Sequence, residues 1–264
     1  MTDTETRPFA VVTGGSNGIG FELARQFVDN GYDVLLSAEH QDHLDEAAVR
    51  LASGGASVET HASDLSSEAG VESLHAAIRA RPIEALCVNA GFGLGGAFVE
   101  TDLRTELKMI DLNCRGAVQL TKLVGKEMVA RDSGRILFTS SIAATMPDPF
   151  EAVYGSTKVF LRWFGEALRE ELKDTGVHVT VLMPSVTETN FFNRAEMLDT
   201  KAGASDGKDD PAMVAKAGFD ALMAGKDKVV PSFKNKVMGA IADALPDAAA
   251  AKVHRAMSEP GSAS

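Results

Sequence analysis

Short, mainly apolar runs alternate with longer amphipathic segments along almost the whole chain. The runs that predict strands cover residues 9–12, 32–38, 57–61, 85–88, 135–141, 177–183 and 228–230. Between them, helical spacing of apolar residues marks segments 21–28, 42–51, 68–79, 102–130, 150–174, 213–223 and 234–257. Because strands and helices alternate without an internal repeat or a linker, we expect one doubly wound α/β domain over residues 1–264. Its mostly parallel, seven-stranded sheet should carry helices on both faces.

Two segments depart from this alternation. Residues 185–210 contain Gly203, Ser205 and Gly207 and predict a mobile lid built into the domain, with a disordered surface loop as the other interpretation. Residues 233–257 predict a helical extension interrupted at Pro246. Because this extension is not strongly basic, packing against the fold or a partner subunit is favoured over binding to a membrane surface.

Composition and charge limit the classes of function. The chain has 45% hydrophobic and 24% charged residues, as ordinary globular domains do, and a net charge of −11. Nucleic acids and anionic membranes need a basic surface, so this charge argues against both as main partners. The N-terminus lacks the layout of a signal peptide, and no apolar run is long enough to span a bilayer. We therefore expect a cytoplasmic protein.

The cysteines and histidines do not predict a metal site. Cys87 and Cys114 fit neither a Cys-x-x-Cys nor a zinc-ligand spacing, so we expect buried thiols in a reducing compartment. None of the six histidines lies in a metal-binding pattern. The sequence therefore predicts that the protein binds no metal.

A glycine-rich turn lies between the first predicted strand and the first predicted helix. Its glycines are Gly14, Gly18 and Gly20, in the spacing Gly-x-x-x-Gly-x-Gly. Glycines let the backbone approach a pyrophosphate, and the N–H groups at a helix start bind its charge. A lone glycine cluster is more often a simple turn, but the strand and helix on either side favour a dinucleotide site.

Three further positions fit such a site. Glu39 follows the last glycine of the turn by 19 residues, about where dinucleotide-binding folds bond the adenosine ribose, although an exposed loop carboxylate is also possible. Asp64 and Leu65 follow the third predicted strand and could contact the adenine edge. The small polar tip Asn89-Ala90-Gly91 ends the fourth predicted strand, where open α/β sheets bind ligands.

Tyr154 and Lys158 lie four residues apart in a predicted helix, so they project from one face. A free tyrosine has a pKa of about 10, and a nearby cation lowers it. The attraction is about 4 kcal/mol at an effective dielectric near 20 but about 1 kcal/mol in water, so the pair transfers protons near neutral pH only where water is largely excluded. Taken alone, the spacing is a weak signal that usually marks a solvated face.

Two polar residues lie elsewhere in the pattern. Ser141 ends the predicted strand 135–141, which turns polar at its carboxyl end. Asn113 lies in the middle of the predicted helix 102–130, although Asn is a poor helix former. An exposed position, the cap of a kink between two helices, or a role in the site would each explain it.

Together these motifs resemble the short-chain dehydrogenase/reductase family over almost the whole chain. The motifs Thr13 with the glycine turn, Asp64, Asn89-Ala-Gly91, Asn113, Ser141 and Tyr154-x-x-x-Lys158 occur in that family's order. The interval of 13 residues between Ser141 and Tyr154 also matches the family. The resemblance implies a single Rossmann-type NAD(P)-binding domain that interconverts a ketone or aldehyde with an alcohol.

The resemblance also implies a role for each site residue. Tyr154 would be the general acid and base, while Lys158 would lower its pKa and bind the nicotinamide ribose. Ser141 would orient the substrate carbonyl, and Asn113 would hold a water that links Lys158 to solvent. The implied cofactor-binding residues are Thr13, Gly14, Ser16, Asn17, Gly18, Ile19, Gly20, Glu39, Asp64, Leu65, Asn89, Ala90, Gly91, Tyr154, Lys158, Pro184, Thr187 and Thr189. The hydride would come from the nicotinamide cofactor.

Two departures from the family pattern bear on the cofactor. Many relatives place an arginine, which holds the 2′-phosphate of NADP, where this chain has Glu39, and the glycine turn offers only Ser16 and Asn17. A carboxylate repels that phosphate by up to about 4 kcal/mol at close range, so we expect NAD(H) to be preferred, with NADP(H) possible. The second departure is Pro184-Ser185 in place of Pro-Gly, which would shift the backbone beside the nicotinamide slightly.

The leading prediction is a nicotinamide-dependent oxidoreductase with a small-molecule carbonyl or alcohol substrate. Two alternatives stay open: a dinucleotide-binding sensor without turnover, and an epimerase or dehydratase of the same superfamily. The resemblance further implies a homodimer or homotetramer built on the long helices around Asn113 and Tyr154. The candidate pocket residues form an apolar set that does not identify the substrate: Phe92, Met146, Phe150, Met183, Phe191 and Phe192.

Overall fold

A seven-stranded parallel sheet forms the centre of the fold. The computed structural model describes residues 7–52, 55–232 and 246–263. The strands are β1 (Phe9–Thr13), β2 (Asp33–Ala38), β3 (Val58–Ala62), β4 (Ala85–Val88), β5 (Gly134–Thr139), β6 (Val177–Leu182) and β7 (Lys228–Val229). They pair in the order β3-β2-β1-β4-β5-β6-β7, and every pair is parallel. The predicted doubly wound architecture is confirmed.

Helices cover both faces of the sheet. They are α1 (Gly18–Asp29), α2 (Gln41–Leu51), α3 (Glu68–Ile78), α4 (Leu103–Ile110), α5 (Ala117–Arg131), α6 (Ala152–Glu171), α7 (Phe191–Arg194), α8 (Pro211–Met223) and α9 (Asp247–Ser258). One apolar core joins the sheet to α1, α2 and α8, and a second joins it to α3, α5 and α6. Each fully buried Leu, Val or Phe in these cores contributes about 1.5–3 kcal/mol relative to exposure. Among the described residues, no helix is both long and apolar enough to cross a membrane.

The strand order reverses between β1 and β4, at the centre of the sheet. The chain passes outward from β1 to β2 and β3, and then returns to β4 on the other side of β1. All residues of β1 and β4 are buried, because helices cover both faces of a parallel sheet. The connections after β1 and β4 therefore diverge, and they leave a crevice at the carboxyl ends of these strands, where ligands bind in such folds.

The helix predicted over residues 102–130 is interrupted by a wider turn. A π-helical segment, Asp111–Gly116, separates α4 from α5 without a break in the backbone. Gly116 contacts the backbone of Leu65, since a Cβ at this position would lie 2.1 Å from the Leu65 carbonyl oxygen. Asn113 lies in the same segment and is fully buried, so the exposed position considered for it is wrong. Single π turns within α-helices are frequent at functional sites.

The segments at the carboxyl-terminal end differ from the predictions in detail. Phe150 has a φ of 68°, so α6 begins at Ala152 and not at residue 150. Residues 185–210 include α7 and a buried apolar cluster around Phe192 and Met197, so this segment is packed and not disordered. The Ala202 N–H donates to the Met257 carbonyl at 3.0 Å and ties the segment to α9. Residues 233–245 of the predicted extension lie outside the described residues.

Alanine substitutions at two glycines, one in the π-helical segment and one in α5, should have opposite effects on stability. Gly116→Ala should lower the free energy of unfolding by about 1–3 kcal/mol, because the new methyl group meets the Leu65 carbonyl. Gly125→Ala, within α5, should raise it by about 0.5–1 kcal/mol, because no atom lies within 4 Å of its Cβ position and alanine is the better helix former. Urea unfolding of the two variants measures both effects. Shifts of equal sign would contradict this account of the π turn.

Candidate active site

A large cavity lies at the carboxyl ends of the central strands. Its volume is about 990 Å³, and it occupies the crevice beside β1 and β4. Ser141 lines it together with seventeen of the residues expected to bind the cofactor: Gly14, Ser16, Asn17, Gly18, Ile19, Gly20, Glu39, Asp64, Leu65, Asn89, Ala90, Gly91, Tyr154, Lys158, Pro184, Thr187 and Thr189. Thr13 and Asn113 do not line the cavity. The fold thus brings together motifs that are far apart in the sequence.

Thr13 holds the two sides of the crevice together. Its hydroxyl donates to the Cys87 carbonyl at 3.1 Å and accepts from the N–H groups of Asn89 and Ala90 at 2.9 and 3.0 Å. The glycine turn packs against the same strand end. A Cβ on Gly20 would lie 2.5 Å from Asn89 Nδ2 and would also clash with the backbone of the turn. The glycine at this position is therefore required for the start of α1 to approach β4.

The end of the cavity beside Glu39 and Asp64, where adenosine is expected to bind, is called the adenosine end. It contains a cation that the sequence analysis did not predict. Lys108 of α4 donates to Glu39 Oε1 at 3.0 Å, and its ammonium lies 3.9 Å from Asp64 Oδ2. The hydrogen bond to Glu39 raises the pKa of Lys108. Burial alone would raise the pKa of Asp64, but hydrogen bonds from Ser66 and the charge of Lys108 lower it. Lys108 is separated from Glu39 by 69 residues, so only the fold brings them together.

Tyr154 and Lys158 lie on the buried face of α6. Tyr154 is 9% exposed and Lys158 is 5% exposed, so the solvated face considered for this spacing is wrong. The Lys158 ammonium donates to the Thr139 carbonyl at 3.0 Å and lies 5.6 Å from the centre of the Tyr154 ring. Ser141 lies at the end of β5, and its hydroxyl accepts from the Ala143 N–H at 3.1 Å. The three side chains therefore meet at one end of the cavity.

Burial dominates the ionisation of this pair. It lowers the pKa of Lys158 to about 8, because the ammonium loses its hydration. It also raises the pKa of Tyr154 well above its ordinary value, and the carboxylates of Glu151 and Asp148 raise it further, while a hydrogen bond with Ser141 opposes them. The geometry therefore does not show the lowered tyrosine pKa that the spacing of Tyr154 and Lys158 predicted. The main reason is burial of the phenol, and the Lys158 ammonium bonds to the Thr139 carbonyl at the end of β5 and not to the phenol.

Asn113 connects the loop after β4 to α6. Its Oδ1 accepts from the Phe92 N–H at 3.2 Å, and its Nδ2 donates to the Phe92 carbonyl and to Thr157 Oγ1, both at 3.0 Å. No hydrogen bond among the described residues joins it to Lys158. A Cβ on Gly91 would lie 2.9 Å from Asn113 Oδ1 and 3.5 Å from Lys158 Nζ, so both side chains pack closely against this glycine. The water relay implied by the resemblance stays a prediction.

The end of the cavity beside Ser141 and Tyr154, where the substrate is expected to bind, is called the substrate end. Many of the side chains that line it are apolar. Phe92, Met146, Phe191 and Phe192 line the cavity as predicted, and the Phe191 ring lies 5.1 Å from the Tyr154 ring. Phe150 and Met183 do not line it. The sequence analysis predicted the helical extension that contains α9 but did not place it at the cavity, to whose wall it contributes Ala250, Val253, His254, Met257 and Ser258. The spacing within this amphipathic helix gave no sign of which fold surface it would cover.

A polar cluster at this end was also not predicted. Asp148 and Glu151 precede α6, and both are 7% exposed. His254 Nε2 of α9 forms an ion pair with Asp148 Oδ1, and the Ser258 hydroxyl donates to Glu151 Oε2 at 3.0 Å. One ligand atom each from Asp148, Glu151 and His254 lie within 4.8 Å of one another, close enough to share a cation. His254 is remote from both carboxylates in the sequence, so no sequence motif marks the cluster.

Comparisons with known proteins agree with this arrangement. Residues 8–198 match the family model described as short chain dehydrogenase. A very-long-chain 3-oxoacyl-CoA reductase of Neurospora crassa is 35% identical over 188 residues, which are 69% of this chain and 56% of that protein. An NADP-dependent 3-hydroxy acid dehydrogenase of Salmonella typhi is 35% identical over 202 residues, which are 73% of this chain and 79% of that protein. The match thus spans little more than half of the fungal relative's length.

One solved structure is similar over most of the chain. It is a short-chain dehydrogenase from Sphingobium yanoikuyae in complex with NADPH, with a TM-score of 0.80 and 26% sequence identity. The superposition covers 89% of this chain and 93% of that one. The two structures therefore share one fold over most of their length.

Proposed function

Because the chain belongs to the short-chain dehydrogenase/reductase family, we propose that it is an oxidoreductase that interconverts a ketone or aldehyde with an alcohol. The observation that carries this proposal is the meeting of Ser141, Tyr154 and Lys158 at one end of the cavity, with the tyrosine and the lysine almost fully buried. The bound nicotinamide cofactor would supply or accept the hydride. The protein's own residues would bind the carbonyl and transfer the proton.

In the direction of reduction, Tyr154 would donate its phenolic proton to the carbonyl oxygen. The Ser141 hydroxyl would hold that oxygen by a hydrogen bond. Lys158 would bind the nicotinamide ribose and, through its charge, stabilise the phenolate that the proton transfer leaves. These interactions are strong here because the site is largely desolvated. Asn113 would act as a positioning residue, since its amide fixes the loop at Phe92 and the neighbour of Lys158.

The two alternatives have less support. A sensor without turnover does not need a buried tyrosine, lysine and serine at one end of a cavity that also fits a dinucleotide. An epimerase or dehydratase of the extended branch usually carries a larger substrate domain, and in the described residues the segments after β6 form only short helices and one short strand. Net consumption of reduced cofactor with a ketone would exclude both alternatives.

Substitution of the two tyrosines provides a matched test of this proposal. With a panel of ketones and aldehydes and either reduced cofactor, Tyr154→Phe should lower kcat by about 10²–10⁴-fold, because general acid catalysis is lost. Tyr32→Phe alters the only other tyrosine, which is buried beside Met223 and away from the cavity, and should leave activity close to that of the wild type. Absorbance of the reduced cofactor measures both. Equal activity of the two variants would contradict the proposed role of Tyr154.

We also propose that NAD(H) is preferred over NADP(H). Glu39 and Asp64 place two carboxylates at the adenosine end, and the single ammonium of Lys108 balances only one of them. A 2′-phosphate would therefore meet a net negative charge, at a cost of about 1–4 kcal/mol depending on screening. The Salmonella relative is named as NADP-dependent and the Sphingobium structure contains NADPH, so NADP(H) is kept as a second cofactor. Lys108 is the residue that would contact its phosphate.

A charge reversal at Glu39 tests this preference. Glu39→Arg should move the ratio of kcat/KM for NADPH over NADH upward by at least about tenfold, because attraction replaces repulsion of the 2′-phosphate. Asp42→Arg, on the exposed start of α2 and outside the cavity, makes the same change in charge and should have little effect on the ratio. Steady-state rates with both cofactors measure it. A wild-type enzyme that used NADPH faster than NADH at equal concentration would overturn the preference.

A homodimer or homotetramer is the proposed assembly. Large apolar side chains are exposed on α4 and α6, including Leu103, Leu107 and Trp163. An exposed apolar patch of this kind typically marks an interface between proteins. The cytoplasmic location stays a prediction, supported by the two free thiols, Cys87 and Cys114.

The apolar surface of α4 predicts how assembly responds to charge. Leu107→Glu should move the purified protein toward a smaller species, because a carboxylate would be buried in the interface. Val49→Glu, which places the same charge on an exposed apolar position of α2, should not do so. Sedimentation velocity at several concentrations measures the species present. A wild-type monomer at high micromolar concentration would contradict the proposed assembly.

A further inference from the structure

A single acidic side chain lines the substrate end of the cavity. Among the described residues, three carboxylates line the cavity, and two of them, Glu39 and Asp64, lie at the adenosine end beside Lys108. The third is Glu151, the residue immediately before α6 and three positions before Tyr154. Its carboxylate lies close enough to Tyr154 for its charge to raise the pKa of the phenol. Glu151 is therefore next to the group proposed to protonate the substrate.

The Glu151 carboxylate is held on one oxygen only. Ser258 of α9 donates to its Oε2 at 3.0 Å, while no donor among the described residues bonds to its Oε1. The side chain is more than nine-tenths buried and faces the cavity. A buried carboxylate with a free acceptor oxygen is unfavourable unless a donor or a cation meets it.

The surrounding charges leave one negative charge without a partner. Asp148 and Glu151 are close together, and His254 is the cation that pairs with Asp148. Burial and the neighbouring Asp148 carboxylate raise the pKa of Glu151 to about 7, against the opposing effects of His254 and Ser258. The positive charge of His254 is thus taken up by Asp148, and the negative charge of ionised Glu151 has no cation paired with it. A positively charged ligand would neutralise it.

Several large apolar side chains also line the wall at this end. Phe191 packs against Tyr154, and Val253 and Met257 of α9 line the same region. A substrate that fits therefore has an apolar body, a carbonyl or carbinol group at Tyr154 and one positive charge at Glu151. Because the Glu151 carboxylate acts electrostatically on the Tyr154 phenol, that positive charge would lie close to the reacting carbon.

We propose that Glu151 binds the ammonium group of the substrate, and that the enzyme interconverts 1,2- or 1,3-amino ketones and the corresponding amino alcohols. This inference rests on the oxidoreductase function proposed above. In reduction, the carbonyl carbon gains a hydride from the reduced nicotinamide, the carbonyl oxygen gains the Tyr154 proton, and the cofactor is oxidised by two electrons. The amine keeps its proton and takes no part in the electron transfer.

An ammonium at Glu151 also acts on Tyr154. The Glu151 carboxylate is one of the groups that raise the pKa of the Tyr154 phenol. A cation bound to that carboxylate cancels its charge and lowers the pKa of the phenol toward the range useful for proton transfer. Binding of the correct substrate and activation of the acid are therefore linked. A neutral substrate of the same shape gives no such activation.

The test compares two ketones of nearly equal shape, 2-aminoacetophenone with its amine on the side-chain carbon and propiophenone, which has a methyl group in place of the ammonium. The wild-type enzyme should have a kcat/KM at least about tenfold higher for the amino ketone, as expected for a charge-assisted hydrogen bond. Glu151→Gln should bring the ratio of the two constants close to one. Glu171→Gln makes the same change on the exposed end of α6 and should keep the wild-type ratio. A wild-type ratio near or below one, or a ratio unchanged in Glu151→Gln, would overturn the proposal.

A binding measurement separates this inference from the proposed activity. Calorimetric titration of the cofactor-loaded protein with 2-amino-1-phenylethanol should show binding that Glu151→Gln weakens at least about tenfold. Binding of this kind without turnover would contradict the proposed function and support the ammonium site. Turnover of propiophenone without any preference for the amino ketone would support the proposed function and contradict the ammonium site. Ser258→Ala, which keeps the charge but removes the hydrogen bond to Oε2, should weaken amine binding less than Glu151→Gln does. If Glu151→Gln fails to fold, the Ser258→Ala variant is titrated in its place.

A divalent cation is the competing occupant of the cluster. The titration is therefore repeated after treatment with EDTA and after addition of zinc chloride. Amine binding that survives EDTA supports the proposal. Stoichiometric zinc binding that is lost in both Asp148→Asn and His254→Ala, together with loss of amine binding after EDTA, would overturn it in favour of a metal site.

Discussion

The Thr13 hydroxyl joins β1 to β4 at the point on which the whole site depends. In a parallel sheet whose strand order reverses between these strands, their carboxyl ends face the same crevice, and the connections on either side diverge. The three hydrogen bonds of Thr13 fix the tip of β4 against the end of β1. Everything that lines the cavity is positioned relative to this junction. Thr13 itself stays buried beneath the cavity, so its contribution to the site is structural.

A series of hydrogen bonds leads from this junction to Lys158. The tip of β4 continues into Gly91 and Phe92, and Phe92 is held by the amide of Asn113. The same amide donates to Thr157 of α6, next to Lys158. Lys158 in turn bonds to the end of β5. The π turn in which Asn113 lies is thus part of the arrangement that sets the position of Lys158, which gives a physical reason for a helix distortion at this point.

The two ends of the cavity differ in how charge acts. At the adenosine end, Glu39, Asp64 and Lys108 are each around half exposed, so water and salt weaken their interactions. At the substrate end, Tyr154, Lys158 and Glu151 are almost fully buried, and their burial shifts the pKa of each of them. A cation bound beside Glu151 would therefore also change the pKa of Tyr154. Under the proposed function, the buried half of the site would select the substrate.

The strands, the glycine-rich turn and the spacing of Ser141, Tyr154 and Lys158 could be predicted from the sequence alone. These features depend on local patterns: apolar runs form strands, glycines permit close backbone approach, and residues four apart on a helix share a face. Which distant residues meet these motifs depends on the packing of the whole fold. Lys108 of α4 bonds to Glu39, which follows β2, and His254 and Ser258 of α9 reach Asp148 and Glu151 at the cavity wall. The ionisation of Tyr154 was also settled at that level, because burial and neighbouring charge depend on every element packed around it and not on spacing along one helix.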